Sequence, residues 1–182
     1  MPGTRRGGAT GGRRAAVLAP RRLAAVALTA SVALYMALVA FGNITDFGTN
    51  QQFVRHVLAM DTTFHDKALM WRGITSPRVA DAAYVLIIAW ETITALVLVC
   101  ATALWFVVPG RARSWSAYGL VMTVLLFGAG FLAVGGEWFA MWQSKQWNGL
   151  EAATRDLVFA GVTLLVVLGD REVTGRQGTE GP

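Results

Sequence analysis

Glu91 is the side chain whose position asks for chemistry. It is the one charged residue between Ala82 and Gly110, in "AAYVLIIAWETITALVLVCATALWFVVPG". A carboxylate deep in lipid costs about 3 kcal/mol or more unless it is neutralised, paired or hydrated. On a helix, Tyr84, Glu91 and Thr102 fall at i−7, i and i+11, with Thr94 and Ala95 beside them, so they form one narrow polar stripe. That stripe should face other helices and not lipid. Its functional reading is a proton relay or the anchor of a polar ligand. Its structural reading is a neutral acid hydrogen-bonded across helices to Ser31, Tyr35 or Thr123. One acid does not make a transporter.

A second group precedes it. His56, Asp61, His65 and Asp66 follow the spacing H-x4-D-x3-H-D, and Asp46 and Glu137 are further carboxylates. These are ligand types for zinc, but the spacing matches no established site. His56 and His65 are therefore weak metal candidates, and His56 reads more simply as a surface histidine. Asp46, in "NITDFGTN", should satisfy loop N–H groups or pair with Arg55 or Arg72. No Gly-x-Ser-x-Gly elbow and no phosphate-cradling glycine loop occurs. No histidine lies in an apolar run, which excludes a haem held by two intramembrane histidines. No cofactor is expected, and an enzyme is the least favoured class.

The third group is "GGEWFAMWQSKQWNG", Gly135 to Gly149, with three of the seven tryptophans. If a helix continues past Gly136, Trp138, Met141, Trp142 and Lys145 share one face, and Trp147-Asn148-Gly149 ends it. An aromatic belt explains the indoles most simply. Packing against the preceding loop, or a surface for a ligand or partner, are the alternatives. Trp105 and Trp115 read as belt residues only.

The elements that must position these residues follow from the hydrophobic blocks. The 182 residues are 54% hydrophobic, and the apolar residues come in runs long enough to cross about 30 Å of hydrocarbon at about 1.5 Å per residue. Open sheets fail in lipid because their edges stay unpaired. The expected fold is an all-α membrane protein, a four-transmembrane-helix bundle with spans near 23–42, 82–108, 117–136 and 150–169. The last is weakest, because only 13 uncharged residues separate Asp156 from Asp170. It crosses if its helix starts near Leu150, with Glu151 and Arg155 paired at i,i+4 in the headgroups. The first run is longer than a signal-peptide core, with a mediocre cleavage candidate near Leu38-Val39-Ala40, so it reads as a retained anchor.

Ten of the 16 Lys and Arg residues lie in the tails and the middle connection, and six lie in loops 43–81 and 137–149 or, for Arg155, just past the second of them. This places both termini in the cytoplasm and the chain in the plasma (inner) membrane as a multi-pass protein. The net charge of +5 is then a topology signal and not a nucleic-acid footprint. The Gly/Arg-rich stretch 1–22 and residues 170–182 are expected to be disordered. Cys100 is the only cysteine, so no disulfide can brace the loops.

Both outer loops are expected to be ordered and aromatic, with short interfacial helices. One should start after Asn50 as its cap and another should run through Trp71. Acids Asp46, Asp61, Asp66 and Glu137 are expected to reach Arg55, Arg72 and Lys145, joining the loops into one extracytoplasmic cap. Gly128, Gly130, Gly135 and Gly136, with Ala30, Ala33, Ala37 and Ala40, are expected to mark close helix contacts.

"GNITDFGTNQQFVRHVLAMDTTF", "ALMWRGI" and "GGEWFAMWQSKQWNG" resemble the signature stretches of a bacterial family of predicted small integral membrane proteins of unknown function (DUF2165). The resemblance covers roughly Leu23 to Gly169. It implies a four-helix membrane protein and transfers no catalytic residue, cofactor or substrate. The first functional expectation is a non-enzymatic accessory subunit or assembly factor of an envelope membrane complex, in contact with lipid and with a membrane-protein partner or a second copy. The second is a protein handling a small molecule, ion or proton through Glu91 beneath the cap.

Overall fold

The computed structural model describes residues 20–169. Helix α1 spans Pro20–Thr45, α2 Phe47–Ala59, α3 Pro77–Val107, α4 Pro109–Val124 and α5 Leu150–Gly169. α4 runs on without interruption as a wider π segment, Leu125–Trp138. Among the described residues there is no strand. Four helices are long and apolar enough to cross a membrane: Pro20–Thr45, Pro77–Val107, Pro109–Trp138 and Leu150–Gly169.

The boundaries have local causes. Pro77 occupies the first turn of α3, where a missing N–H costs nothing. Pro109 ends α3 and opens α4, leaving only Val108 between them. Arg111 and Arg113, expected in a connecting loop, therefore lie in the first turns of α4. α1 starts at Pro20, so Arg21 and Arg22 belong to it and not to the tail. The rest of the expected disordered tails, 1–19 and 170–182, lies outside the described residues.

Small residues set the helix spacing. A Cβ added to Gly119 of α4 would lie 2.6 Å from Leu98 of α3, a side chain with no exposed surface. The expected glycine contacts are distributed differently. Gly128 faces Leu157 and Gly136 faces Leu150, both on α5, while α1 packs against α3 and α5. The alanines of α1 are therefore not the partners of those glycines, and the tightest approach is at Gly119.

The end carrying the long loops departs from simple helix continuation. In the π segment the Phe139 amide donates to the Val134 carbonyl at 3.0 Å, an i→i+5 bond. Ala140 then takes a left-handed conformation, φ 51°, and the helix cannot continue through it. Trp138, Met141, Trp142 and Lys145 consequently do not share a helical face, because only a short 3-10 turn, Met141–Gln143, follows. α2 likewise starts at Phe47, so Asn50 lies inside it and is not its cap. The second short helix reduces to the 3-10 turn Met70–Arg72.

At the opposite end, arginines close the helix termini. The Arg22 guanidinium donates to the Trp105 carbonyl at 3.0 Å, and Arg113 donates to the Leu168 carbonyl. Both meet the negative ends of helix dipoles. Trp105 is not a belt residue. It is buried, and its indole N–H donates to Ser116 Oγ at 3.0 Å. Trp115 remains exposed.

Candidate functional site

α2 forms a roof over one end of the bundle. Gln51 and Arg55, one turn apart on α2, both grip Asp81 of α3. Gln51 Nε2 donates at 2.9 Å, Arg55 Nε at 2.8 Å and Arg55 Nη2 at 2.8 Å. The hydrogen bonding of Arg55 to Asp81 raises its pKa above the ordinary value, with desolvation opposing and the carboxylate charge adding to the rise. Phe47 packs on Tyr84 with ring centroids 4.7 Å apart.

Beneath the roof is a cavity of about 240 Å³ with two carboxyl groups in its wall, Glu91 from α3 and Asp156 from α5. They are 2% and 5% exposed. Each is held by a partner on α1. Asn43 Nδ2 donates to Glu91 Oε2 at 2.7 Å, and Tyr35 Oη donates to Asp156 Oδ2 at 2.6 Å. The network continues outward, with Asn50 Nδ2 donating to Asn43 Oδ1 at 2.6 Å and Tyr84 Oη to the Asn43 carbonyl at 3.4 Å. Asp156 Oδ1 also accepts from Arg155 Nε at 3.3 Å. Tyr35 and Asn43 lie eight residues apart on α1, so the polar wall is about 12 Å tall.

Helix lengths explain how a carboxyl is tolerated here. Glu91 lies 14 residues into α3, about 21 Å by helical rise, which on sequence alone places it deep in a span. α1, however, ends two residues beyond Asn43, and Asn43 is bonded to Glu91. α3 therefore stands well above α1. Glu91 is level with the last turn of α1, directly under the roof, where amide donors are at hand.

Of the expected stripe, Tyr84 and Glu91 reach the cavity and Thr102 does not. Thr102 is half-buried, three turns further along, and its hydroxyl donates to Leu98 of its own helix. None of the expected partners meets Glu91. Ser31 donates to the Ala27 carbonyl, Thr123 to the Gly119 carbonyl, and Tyr35 to Asp156. The residue the sequence missed is Asp156, which by position alone reads as a charge flanking a weak span. A signal was present: Ala153, Asp156, Ala160, Thr163 and Val167 form the buried stripe of α5 at helical spacing. The Glu151–Arg155 pair is replaced by Arg155–Asp156.

The two long loops, 46–76 and 139–149, do meet, through different chemistry from that expected. Asp46 accepts from Thr49, Arg55 pairs with Asp81, and Asp61 pairs with His56 of its own loop at 2.8 Å. Glu137 and Lys145 are exposed and form no ion pair among the described residues. The short left-handed break at Ala140 redirects the second loop, so aromatic faces and not charges come together. His56 stacks on Trp147 at 4.6 Å and 12°, Trp71 meets Trp138 edge-on at 5.6 Å, and Phe64 meets Trp142 at 5.9 Å. Arg72 lies over the Trp138 ring at 4.8 Å. Thr62 Oγ1 donates to Ser144 Oγ at 2.9 Å, and the Phe64 amide to Gln143 Oε1 at 2.9 Å. His65 Nε2 lies 3.1 Å from the Asp61 carbonyl. Among the described residues no three His, Cys, Asp or Glu side chains converge as a metal site.

No curated protein and no solved structure matches the chain. Residues 21–169 match the family described as predicted small integral membrane protein, DUF2165. With four membrane-length helices and most of its length matched, the chain is a multi-pass integral membrane protein and belongs to the DUF2165 family.

Proposed function

We propose that the protein binds a small molecule or ion in the cavity beneath α2, with Glu91 and Asp156 as the anchoring groups. The observation that carries this reading is the pair of buried carboxyls, brought from α3 and α5 into one cavity wall. Pure packing needs no such pair, since burying each acid costs free energy that apolar contact would not. Tyr84, Asn43 and Tyr35 orient the carboxyls, and α2 covers them.

The membrane is the plasma (inner) membrane, both termini are cytoplasmic, and the α2 end faces outward. The arginine distribution supports this orientation. Cysteines at Gly48 and Lys145, both exposed, should react with an impermeant maleimide on intact cells. Reaction only after permeabilisation would reverse the topology.

An accessory-subunit or assembly role is the second reading. The observation favouring it is the exposed cluster of Phe64, Trp71, Trp138 and Trp142 on the cap, a surface that a membrane-protein partner or a second copy could cover. A tagged copy, purified in mild detergent at native expression and analysed by intact mass, separates the two readings. A small molecule retained by the wild type, and lost from the Glu91→Gln, Asp156→Asn variant at unchanged abundance, supports the cavity. A stoichiometric protein partner with no retained small molecule supports the accessory role and overturns the first reading.

A further inference from the structure

A second cavity lies behind the first. Its volume is about 280 Å³, and its lining, drawn from α2, α3, the π segment and the turn after it, is apolar side chains and glycine throughout. The two cavities share four walls, Phe53, Val54, Ile87 and Phe131. Phe53 and Phe131 stack across that boundary with centroids 6.5 Å apart. The rim of the second cavity includes Leu86 and Val134, which are 70% and 50% exposed. Both belong to helices long and apolar enough to cross a membrane, which gives an apolar occupant a route from the bilayer.

Resting on the cavity reading above, we infer that the ligand is a single-chain amphiphile with an amine head. The ammonium sits between Glu91 and Asp156, and the hydrocarbon chain occupies the second cavity. The polar cavity has no Lys, Arg or His in its wall. A phosphate or carboxylate head would face two carboxyls, and the one cation paired with either of them, Arg155 on Asp156 Oδ1, is 69% exposed and stands outside the wall. An ammonium is attracted by both acids and by the faces of Phe53, Phe127 and Phe131. Glu91 is nearly fully buried, yet only its Oε2 is engaged by the protein, by Asn43. Its Oε1 accepts no hydrogen bond among the described residues, which leaves it for a donor on the ligand.

The size of the tail follows from the volume. A dry cavity of about 150 Å³ holds benzene, so the second cavity holds on the order of ten carbons. Gly130 and Gly135 on the π segment leave that space unfilled. An added Cβ at Gly130, a residue of the cavity lining, has nothing nearer than the Leu125 carbonyl at 4.0 Å, so a larger side chain there meets no packed neighbour.

The test uses the full chain in phosphatidylcholine nanodiscs with a dodecylamine carrying a diazirine in its chain. After irradiation, adducts are mapped by peptide mass spectrometry. Adducts should concentrate on α2 and the π segment. Excess dodecylamine should suppress them, while dodecanoic acid and butylamine should not. Glu91→Gln with Asp156→Asn should lower site labelling about a hundredfold, the loss of two charge-assisted contacts worth about 1.4 kcal/mol each. Gly130→Leu should lower it about tenfold by filling the tail cavity. Suppression by butylamine as strong as by dodecylamine would overturn the tail and leave the cavity reading standing. Equal suppression by dodecanoic acid would overturn the amine head. Labelling spread over lipid-facing residues, indifferent to competitors and variants, would overturn this inference and the cavity reading together. The competitor series is run on the wild type, so it decides even if a variant fails to fold.

Discussion

At one end of the bundle α3 passes to α4 through the single residue Val108, and Arg22 and Arg113 cover exposed helix carbonyls. At the other end residues 46–76 and 139–149 build a second layer over the helices. The interior changes with the ends. The half near Val108 is filled by Leu98, Ala101, Trp105, Ala112 and Leu120, packed closely enough that Gly119 has no room for a methyl group. The half beneath α2 holds Glu91, Asp156, Asn43, Tyr35 and Tyr84 around open space. Polar groups collect where one helix outruns its neighbours and a roof helix can supply donors. Elsewhere the bundle obeys the lipid rule that small residues and tight packing hold helices together.

That contrast breaks most readily at its tight half. Gly119→Val forces a branched side chain against the fully buried Leu98, and overpacking of this kind costs about 3 kcal/mol. Unfolding of the variant in nanodiscs should show that loss, while labelling of the surviving folded protein by the alkylamine probe stays at the wild-type level. If labelling falls in proportion, the two halves are not independent. In the polar half, Tyr35→Phe removes the hydroxyl that donates to Asp156 and leaves a buried carboxyl short of a donor, at about 2 kcal/mol. Equal stability for Tyr35→Phe and wild type would mean that Asp156 is hydrated and the cavity wetter than its burial implies. A smaller effect belongs to the roof. Thr62→Val deletes the hydroxyl link to Ser144 between the two long loops and should cost about 1 kcal/mol, seen as faster amide exchange over 139–149 and not over α4.

The span pattern was legible because apolar blocks of this length have few other uses. α5 even starts at Leu150 as expected, despite its charges. What sequence could not weigh is relative height. Reading each span alone put Glu91 deep in hydrocarbon, whereas its depth is set by where α1 stops. Asp156 was masked by the same habit, since a charge near the start of a short apolar run looks like a boundary marker. Arg55 and Asp81 were both visible, but their pairing depends on α2 folding back along α3, a tertiary choice with no local signature. Ala140 is the clearest failure. A left-handed residue is expected to be glycine, and here an alanine is held in that state by burial beside Phe139 and Met60, so no residue type announced the break.

The sharpest form of the comparison is a substitution that should leave stability almost untouched. Glu91→Gln keeps an oxygen at the position where Asn43 Nδ2 donates and preserves side-chain length and shape. Its effect on unfolding should be within about 0.5 kcal/mol, since one acceptor replaces another. Glu91→Leu, by contrast, strands the Asn43 amide and should cost about 2 kcal/mol. If Glu91 serves only the fold, Gln is silent in every assay and Leu is not. If it serves a ligand, Gln is silent in unfolding yet weakens capture of the alkylamine about tenfold. Equal losses of stability for Gln and Leu would show that the fold itself requires the acid, and would remove the main reason for treating the two halves of the bundle as different kinds of structure.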